Sequence, residues 1–427
     1  MNLVYAANIM PLPFLAVLAY LDPGTGSMLF AALLGVLATL FFVIKGCYYR
    51  VKRFVFGLFG VTAAATKRYG IVFYSEGKQY WNTFKPVIEA LDHMGCCCTY
   101  LTSDADDVGL AYVSQSVETK YIGKGNRAYA YLNLLEADVC VLTTPGLDVL
   151  HIRRSRGVKH YAHLIHAPTD VAMYKLYSFD YYDSILTSGP HQKRSIRELE
   201  RLRGTRQKEL YDTGCCYLDN YVRQATSAPR KQGNGFTVLV APTWGKNGLL
   251  TNYGIQLLQP LAEAGYNVII RPHPQSYLSE PELIRSLQSS MASYTNLRWD
   301  AAADGFASMA VADVMLSDLS GVIFDFAFLF EKPVLTLQYE LHKSGMEAFD
   351  IPWEPWELTV LDTIGERIDA SGLATLPARL QEIAGSDARR RAIRQLRDSS
   401  VYNFGNGGVV AARHIAGIVD RLAQGDL

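Results

Sequence analysis

Short runs of β-branched and aromatic residues alternate with helix-length segments from Tyr69 to about residue 366. The first set reads as strands at 71–75 (IVFYS), 96–101 (CCCTYL), 138–143 (DVCVLT), 160–166 (HYAHLIH), 184–189 (SILTSG) and 211–216 (YDTGCC). Helical segments such as YWNTFKPVIEALDHM (80–94) and HQKRSIRELERLRG (191–204) lie between them. Around residues 222–235 the pattern breaks into RQATSAPRKQGNG, rich in Pro, Gly and small polar residues, which reads as a linker. The alternation then restarts with 236–244 (FTVLVAPTW), 267–273 (NVIIRPH), 314–319 (VMLSDL) and 332–337 (KPVLTL), and a helical tail follows. The strands are nearly continuously apolar, as strands covered on both faces are. Two α/β halves, each a parallel sheet between helical layers, are therefore expected.

The beginning of the chain follows another pattern. Residues 1–44 carry one charged side chain, Asp22. Residues 28–44 are an uninterrupted apolar run at the lower limit for crossing a bilayer. The earlier run, Leu3 to Leu21, is interrupted by Asn8, Pro11 and Pro13, and LDPGTGS between the two reads as a turn. Lys45, Arg50, Lys52, Arg53, Lys67 and Arg68 follow with no acid among them, which places this flank and everything after it on the cytoplasmic side. No basic region precedes the first run, as a cleaved signal peptide would require. Phe54, Phe56, Leu58 and Phe59 suit a short interfacial segment. The expected organisation is a membrane anchor of one or two spans (1–60), a first α/β domain (66–225), a second (236–385) and a helical tail (386–427).

Composition narrows the function classes. Lys plus Arg and Asp plus Glu number 41 each over 427 residues, so the surplus of positive charge usual in nucleic-acid binders is absent. Seven cysteines, several in adjacent runs, make a poor disulfide framework and lack zinc-ribbon spacing, which suits a reducing compartment. No Gly-x-Gly-x-x-Gly or Gly-x4-Gly-Lys-Ser motif opens either half, which argues against nicotinamide enzymes and ordinary ATPases.

In open α/β sheets ligands lie outside the carboxyl ends of the strands, and the unusual polar residues cluster there. Ser317-Asp318-Leu319-Ser320-Gly321 closes one strand and opens the helix VIFDFAFLF. Ser320 is a natural N-cap, Gly321 admits a ligand to the backbone, and free first-turn amides would hold a phosphate. Asp325, one turn on, is placed to take the hydroxyls of a ribose; the plainer alternative is a capped helix with one buried acid. Arg271-Pro272-His273-Pro274 sets an imidazole between two prolines, suited to meeting a phosphate or simply to a rigid turn. Thr243 and Gly245, in Ala-Pro-Thr-Trp-Gly, are expected to face the cleft with Trp244 lining it. His163 and His166 in HLIHAPTD should lie on opposite faces if strand periodicity continues, leaving His166 as the candidate base and His160 and His163 as structural. Asp104, Asp106 and Asp107 read as a solvated turn rather than a metal loop. The stretch 192–208 reads as an exposed helix face, and Arg389, Arg390 and Arg391 likewise. Trp353, Glu354, Trp356 and Glu357 are candidates for the cleft edge. No carboxylate cluster calls for a metal ion.

Taken together, AlaProThrTrp at 241–244, ProHisPro at 272–274 and SerAspLeuSerGlyValIlePheAspPhe at 317–326 followed by LysProVal resemble the CDP-glycerol glycerophosphotransferase family of teichoic-acid primases and polymerases. The resemblance implies a GT-B fold, two Rossmann-like doubly wound domains facing a cleft with the nucleotide held mainly by the second. It also implies transfer of glycerol phosphate from CDP-glycerol to a hydroxyl on a membrane-linked acceptor, with release of CMP and no cofactor. By position, His166 stands where the family has its Trp-His-Gly-Thr-Pro histidine, taken as base, with Ile165 and Ala167 in place of the Trp and Gly. His273 stands in the His-Pro motif, with Arg271 before it. Ser317, Asp318, Ser320 and Asp325 stand in the donor-binding turn. The expected partners are a CDP-linked polyol donor, a membrane-linked acceptor and membrane lipid, at the cytoplasmic face of the cell membrane. Alternatives on the same fold are a sugar-nucleotide glycosyltransferase or epimerase, or an inactive membrane scaffold.

Overall fold

The computed structural model describes Leu34, Val36, Leu37, Thr39, Leu40 and Val43, and then residues 67–227, 235–302, 304–337 and 342–425. Residues 1–66 and 67–427 are separate units, and the architecture below is that of the second. The expected anchor lies for the most part outside the described residues. The six residues described there are helical, and no helix among the described residues is long and apolar enough to cross a membrane.

The second unit is built on two parallel sheets. The first runs β3-β2-β1-β4-β5-β6-β7, formed by β1 (Arg68–Ser75), β2 (Cys98–Thr102), β3 (Val117–Tyr121), β4 (Glu136–Leu142), β5 (Gly157–Leu164), β6 (Ser184–Thr187) and β7 (Glu209–Asp212). The second runs β10-β9-β8-β11-β12-β13, formed by β8 (Thr237–Val240), β9 (Asn267–Ile270), β10 (Leu297–Trp299), β11 (Val314–Ser317), β12 (Val334–Leu337) and β13 (Gly365–Ile368). Both sheets start at a central strand, wind to one edge and then return to the other. The order therefore reverses between β1 and β4 in one sheet and between β8 and β11 in the other. That reversal opens a crevice at the carboxyl ends of the two central strands.

Several expected strands end earlier than their apolar runs. Tyr211 and Asp212 close β7, whereas Cys216 already opens a helix. The residues after Val240, Ile270 and Ser317 leave the second sheet as loops. Edge strands β3, β10 and β13 have no apolar run to announce them: β3 (VETKY) is largely polar, and β13 (GERI) falls where a helical tail was expected. Gly365 is there because a Cβ would sit 1.5 Å from the Val334 carbonyl oxygen.

The helices that matter for the site are α1 (Trp81–His93), α2 (Pro190–Arg203), α3 (Cys216–Ser227), α4 (Val322–Phe330), α5 (Asp387–Ser400) and α6 (Gly407–Gln424). Helix α3 takes up residues 222–227 of the expected linker, and residues 228–234 lie outside the described set. The tail returns to the first lobe, where Ala411, Ala412, Ile415 and Ile418 of α6 share one core with Val87, Ile88 and Leu91 of α1. Asp219 of α3 fixes the start of α6 by accepting the Gly407 and Gly408 amides at 3.1 and 2.7 Å. Gly408 is obligatory, because a Cβ would come within 2.5 Å of Pro86. A further core joins Cys215 and Leu218 at α3 to Ile323, Phe324 and Ala327 of α4 and to Ile393 of α5. The six cysteines among the described residues are free thiols.

A second crossing ties the lobes. Lys175 bridges Met346, and the Glu347 amide donates to the Tyr174 carbonyl at 2.8 Å. Buried Glu347 accepts the Ser178 amide at 2.9 Å and pairs with Arg203, which also reaches Asp180 at 2.9 Å and Asp350 at 2.7 Å. The stretch 192–208 is thus only partly the solvated face expected, since Gln192, Ser195, Glu200 and Lys208 are buried and Arg203 is an inter-lobe clasp. Asp107 also departs from a solvated turn: it is buried and accepts from the Tyr100 and Thr102 hydroxyls at 2.8 and 2.7 Å.

Candidate functional site

Adjacent strands β9, β8 and β11 deliver the loops 271–274, 241–248 and 318–321 to one edge of the second sheet. Asp318 organises them. Its carboxylate accepts the Thr243 amide at 2.8 Å and the Leu249 amide at 3.1 Å, and burial raises its pKa to about 6. Ser317 donates to the Ala241 carbonyl at 2.6 Å. These two residues lock the Ala-Pro-Thr-Trp-Gly loop to the start of α4, so their part is positioning. The Gly245 amide donates to Glu280 at 3.1 Å instead of facing the cleft as expected; the left-handed φ of +88° at Gly245 turns it that way. Trp244 stays exposed, 6.4 Å centroid to centroid from the His273 ring.

The start of α4 corrects the expected cap. Gly321, not Ser320, is the N-cap, and no side chain caps the helix. The Ile323 and Phe324 amides are already bonded to the Ser320 and Gly321 carbonyls at 3.2 and 3.1 Å. The Gly321 and Val322 amides, ahead of the first helical bond, have no intrahelical partner. Gly321 is exposed, with nothing within 4 Å of where a Cβ would stand. An open pair of amides at a positive helix end suits an anion. Gly321→Asp tests this directly. The added carboxylate suits the helix dipole but occupies the anion's place, so the melting temperature should hold while calorimetric CDP affinity falls at least tenfold.

Asp325, one turn on, is half-buried and accepts a hydrogen bond from Tyr217 of α3. Burial raises its pKa to about 7, and the Tyr217 hydroxyl works against that rise. Arg271 differs from expectation. Its guanidinium donates to Asp300 at 2.8 Å and to the Ala302 carbonyl at 2.9 Å, so its charge is neutralised and it braces residues 300–302. His273 is exposed, and its Nδ1 accepts the Gln275 amide at 3.1 Å, capping the helix Pro274–Ser279. That bond requires a bare Nδ1, so the neutral ring carries its proton on Nε2, facing away as a donor. Partial burial lowers the pKa of His273.

In the first lobe, His166 lies just past β5. Its Nδ1 is 3.3 Å from the Tyr174 hydroxyl, the Tyr80 ring is 5.3 Å away, and burial lowers its pKa to about 4. It is a neutral imidazole across the physiological range. His163 does not lie opposite to it. Both rings contact Tyr174, at centroid distances of 6.2 Å for His163 and 5.9 Å for His166. The strand ends at Leu164, so period-two alternation stops before His166. His163 is buried among Tyr174, Phe179 and Tyr182, and His160 bonds Ser184 at 2.8 Å.

Contacts connect the two halves of the site. Ser188 donates to the Ala167 carbonyl at 3.1 Å, and the buried Cys215 thiol interacts with both Ser188 and Asp325. Trp356 stacks on His191 at 4.2 Å and meets Phe324 of α4 at 5.0 Å. Glu357 accepts the Asp170 amide at 2.8 Å. Tyr174 and Tyr217 are the contributors that sequence reasoning missed. Tyr217 directly follows the run 211–216 that reads as a strand, and neither it nor Tyr174 carries a local signal.

Glu357 and Asp170 form a buried acid pair between the lobes, with pKa values raised by burial to about 8 and about 6. The folded chain keeps protons that the unfolded chain releases near pH 4. The contribution of this pair to stability is therefore greatest below about pH 4 and is lost as pH rises toward 8. Glu357→Gln keeps the acceptor for Asp170 and removes its own titration. Denaturant titrations should show a decline on the order of 3 kcal/mol between pH 5 and 8.5 in the parent and a much shallower one in the variant.

Residues 98–347 match the family model described as CDP-Glycerol:Poly(glycerophosphate) glycerophosphotransferase. No curated protein sequence matches the chain. Among solved structures, the wall teichoic acid polymerase TagF superposes with a TM-score of 0.54 at 16% identity, covering 83% of this chain and 90% of that one. A UDP-GlcNAc 2-epimerase from Methanocaldococcus jannaschii gives 0.52 at 10% identity over 83% and 100%. One from Neisseria meningitidis gives 0.52 at 14% over the same shares, 83% and 100%. At these identities the likeness is one of fold, two parallel α/β lobes in the GT-B manner. The family match spans more than half of the chain, and the chain therefore belongs to the CDP-glycerol:poly(glycerophosphate) glycerophosphotransferase family of transferases.

Proposed function

We propose that this chain is a membrane-anchored transferase that moves glycerol phosphate, or a related polyol phosphate, from a CDP-linked donor to a membrane-linked acceptor hydroxyl in cell-surface polymer synthesis. The observation that carries the reading is the open, uncapped start of α4 at the strand reversal of the second sheet, in the loop cluster that also carries the exposed His273. The Gly321 and Val322 amides and His273 Nε2–H hold the diphosphate, and Asp325 takes the ribose. Thr243, Gly245, Arg271, Ser317, Asp318 and Ser320 shape the loops around it. The acceptor oxygen attacks the outer phosphorus, its proton goes to His166 Nε2, and CMP leaves with the bridging oxygen. For His166 to act so, its Nδ1–H donates to the Tyr174 oxygen, leaving the Nε2 lone pair toward the acceptor. The hydrogen-bond donors stabilise the phosphoryl charge, the main task in such transfers.

The apolar run 28–44 and the basic cluster after it support an anchor that keeps the lobes at the cytoplasmic face. Tethering beside a lipid-linked acceptor raises effective concentration. A donor panel tests the reading on the full chain in detergent. CMP release from CDP-glycerol or CDP-ribitol in the presence of membrane acceptor is the expected result. UDP release from UDP-sugars, with no CMP from any CDP donor, would replace it with a glycosyltransferase or epimerase.

A further inference from the structure

The reversal of strand order occurs in both sheets, yet the proposed donor occupies only the second. At the first, Tyr74 of β1 pairs with Leu142 of β4, and Glu76 and Thr144 each stand two residues further on. The two strands leave the sheet in step. The Thr144 hydroxyl is buried and lies against the Glu76 carboxyl, favouring its ionised form, while Tyr182 holds the Thr144 carbonyl from behind. Glu76 itself is exposed. His151 lies next to Glu76 and stacks on Tyr129, with centroids 5.4 Å apart and planes 15° from parallel. On the other side, the Tyr80 ring interacts with Glu76 and meets His166 at 5.3 Å.

Resting on the reading of His166 as the base that meets the acceptor, we propose that Glu76, Thr144, Tyr80 and His151 form the subsite for the acceptor's end unit, an uncharged, hydroxyl-rich glycosyl or polyol group. The chemistry selects this class. A carboxylate and a hydroxyl take and give hydrogen bonds to vicinal hydroxyls, and flat rings accept the C–H faces of a sugar or polyol. The Glu76 carboxylate at its centre repels a phosphate, so the unit seated there carries its negative charge elsewhere. The groups around the Glu76 carboxyl partly desolvate it and raise its pKa, which a ligand's hydroxyls offset by bonding the ionised form.

The test uses Glu76→Gln, on an exposed side chain, and Thr144→Val, which keeps the side chain's shape and removes only the hydroxyl that lies against Glu76. Saturation-transfer NMR on the full chain in detergent takes methyl β-glucoside, methyl N-acetyl-β-glucosaminide, glycerol and glycerol 3-phosphate as probes. The expected result is transfer to at least one uncharged probe, lost in both variants and not displaced by glycerol 3-phosphate. In turnover assays, both variants should raise acceptor KM at least tenfold with donor KM within twofold of the parent. Binding that survives both substitutions, the absence of binding by any uncharged probe, or preference for glycerol 3-phosphate would overturn the subsite. Failure of the donor reading would appear separately, as no CMP release with probe binding intact.

Discussion

His166→Ala should lower kcat by about 10²- to 10⁴-fold, the usual contribution of a positioned general base, with CDP affinity within twofold of the parent. The separation of effects follows from the two-lobed architecture: the imidazole stands beyond β5, and the donor contacts stand beyond β8, β9 and β11. Burial keeps the ring neutral, with a pKa of about 4, so its lone pair is free throughout the physiological range; the same burial weakens it as a base, so proton uptake relies on the negative charge that gathers at the phosphoryl group as the acceptor attacks. No carboxylate is bonded to it; its partner is the Tyr174 hydroxyl, which Glu347 of the second lobe holds through the Tyr174 carbonyl. Tyr174 is thus a positioning residue whose place depends on both lobes. The measurement is steady-state CMP release beside calorimetric CDP binding. A variant that turns over at the parent rate removes His166 from the mechanism.

His273→Ala should cost about 10²- to 10³-fold in kcat, the range for removing one preorganised donor to a developing anion. The side chain is exposed and its one bond within the fold caps a single short helix, so the loss of stability should stay near 1 kcal/mol. His273→Asn is the informative companion. Its side-chain oxygen can still accept the Gln275 amide, but its amide group is too short to stand in for Nε2–H. A variant that restores the helix cap without restoring turnover shows that the donor, not the turn, is what catalysis uses. Full activity in both variants would leave the phosphoryl charge to the amides of α4 alone.

The strand–helix rhythm made the two sheets legible, because nearly continuous apolar strands leave few other folds open. Helix α4 was read to the residue, its apolar run beginning where Gly321 ends the turn. What escaped the sequence depends on partners far along the chain. Asp318 looks like a ligand residue by type, but two amides of another loop occupy it. Arg271 looks like a phosphate cation until Asp300 neutralises it. His163 and His166 were assigned to opposite faces by a period that ends with the strand at Leu164. Tyr174, Tyr217 and Glu347 carry no local signature, because each gains its meaning only when the lobes are closed on one another. Edge strands β3, β10 and β13 were missed since short, half-solvated strands do not show the apolar run of central ones.

The most direct test is a crystal structure of the lobes, in the full chain, with CDP bound. The diphosphate should lie on the Gly321 and Val322 amides within reach of His273 Nε2, the ribose on Asp325, and the outer phosphate should face His166 across the cleft. A nucleotide held at the reversal point of the first sheet, or a diphosphate away from the start of α4, would contradict the account.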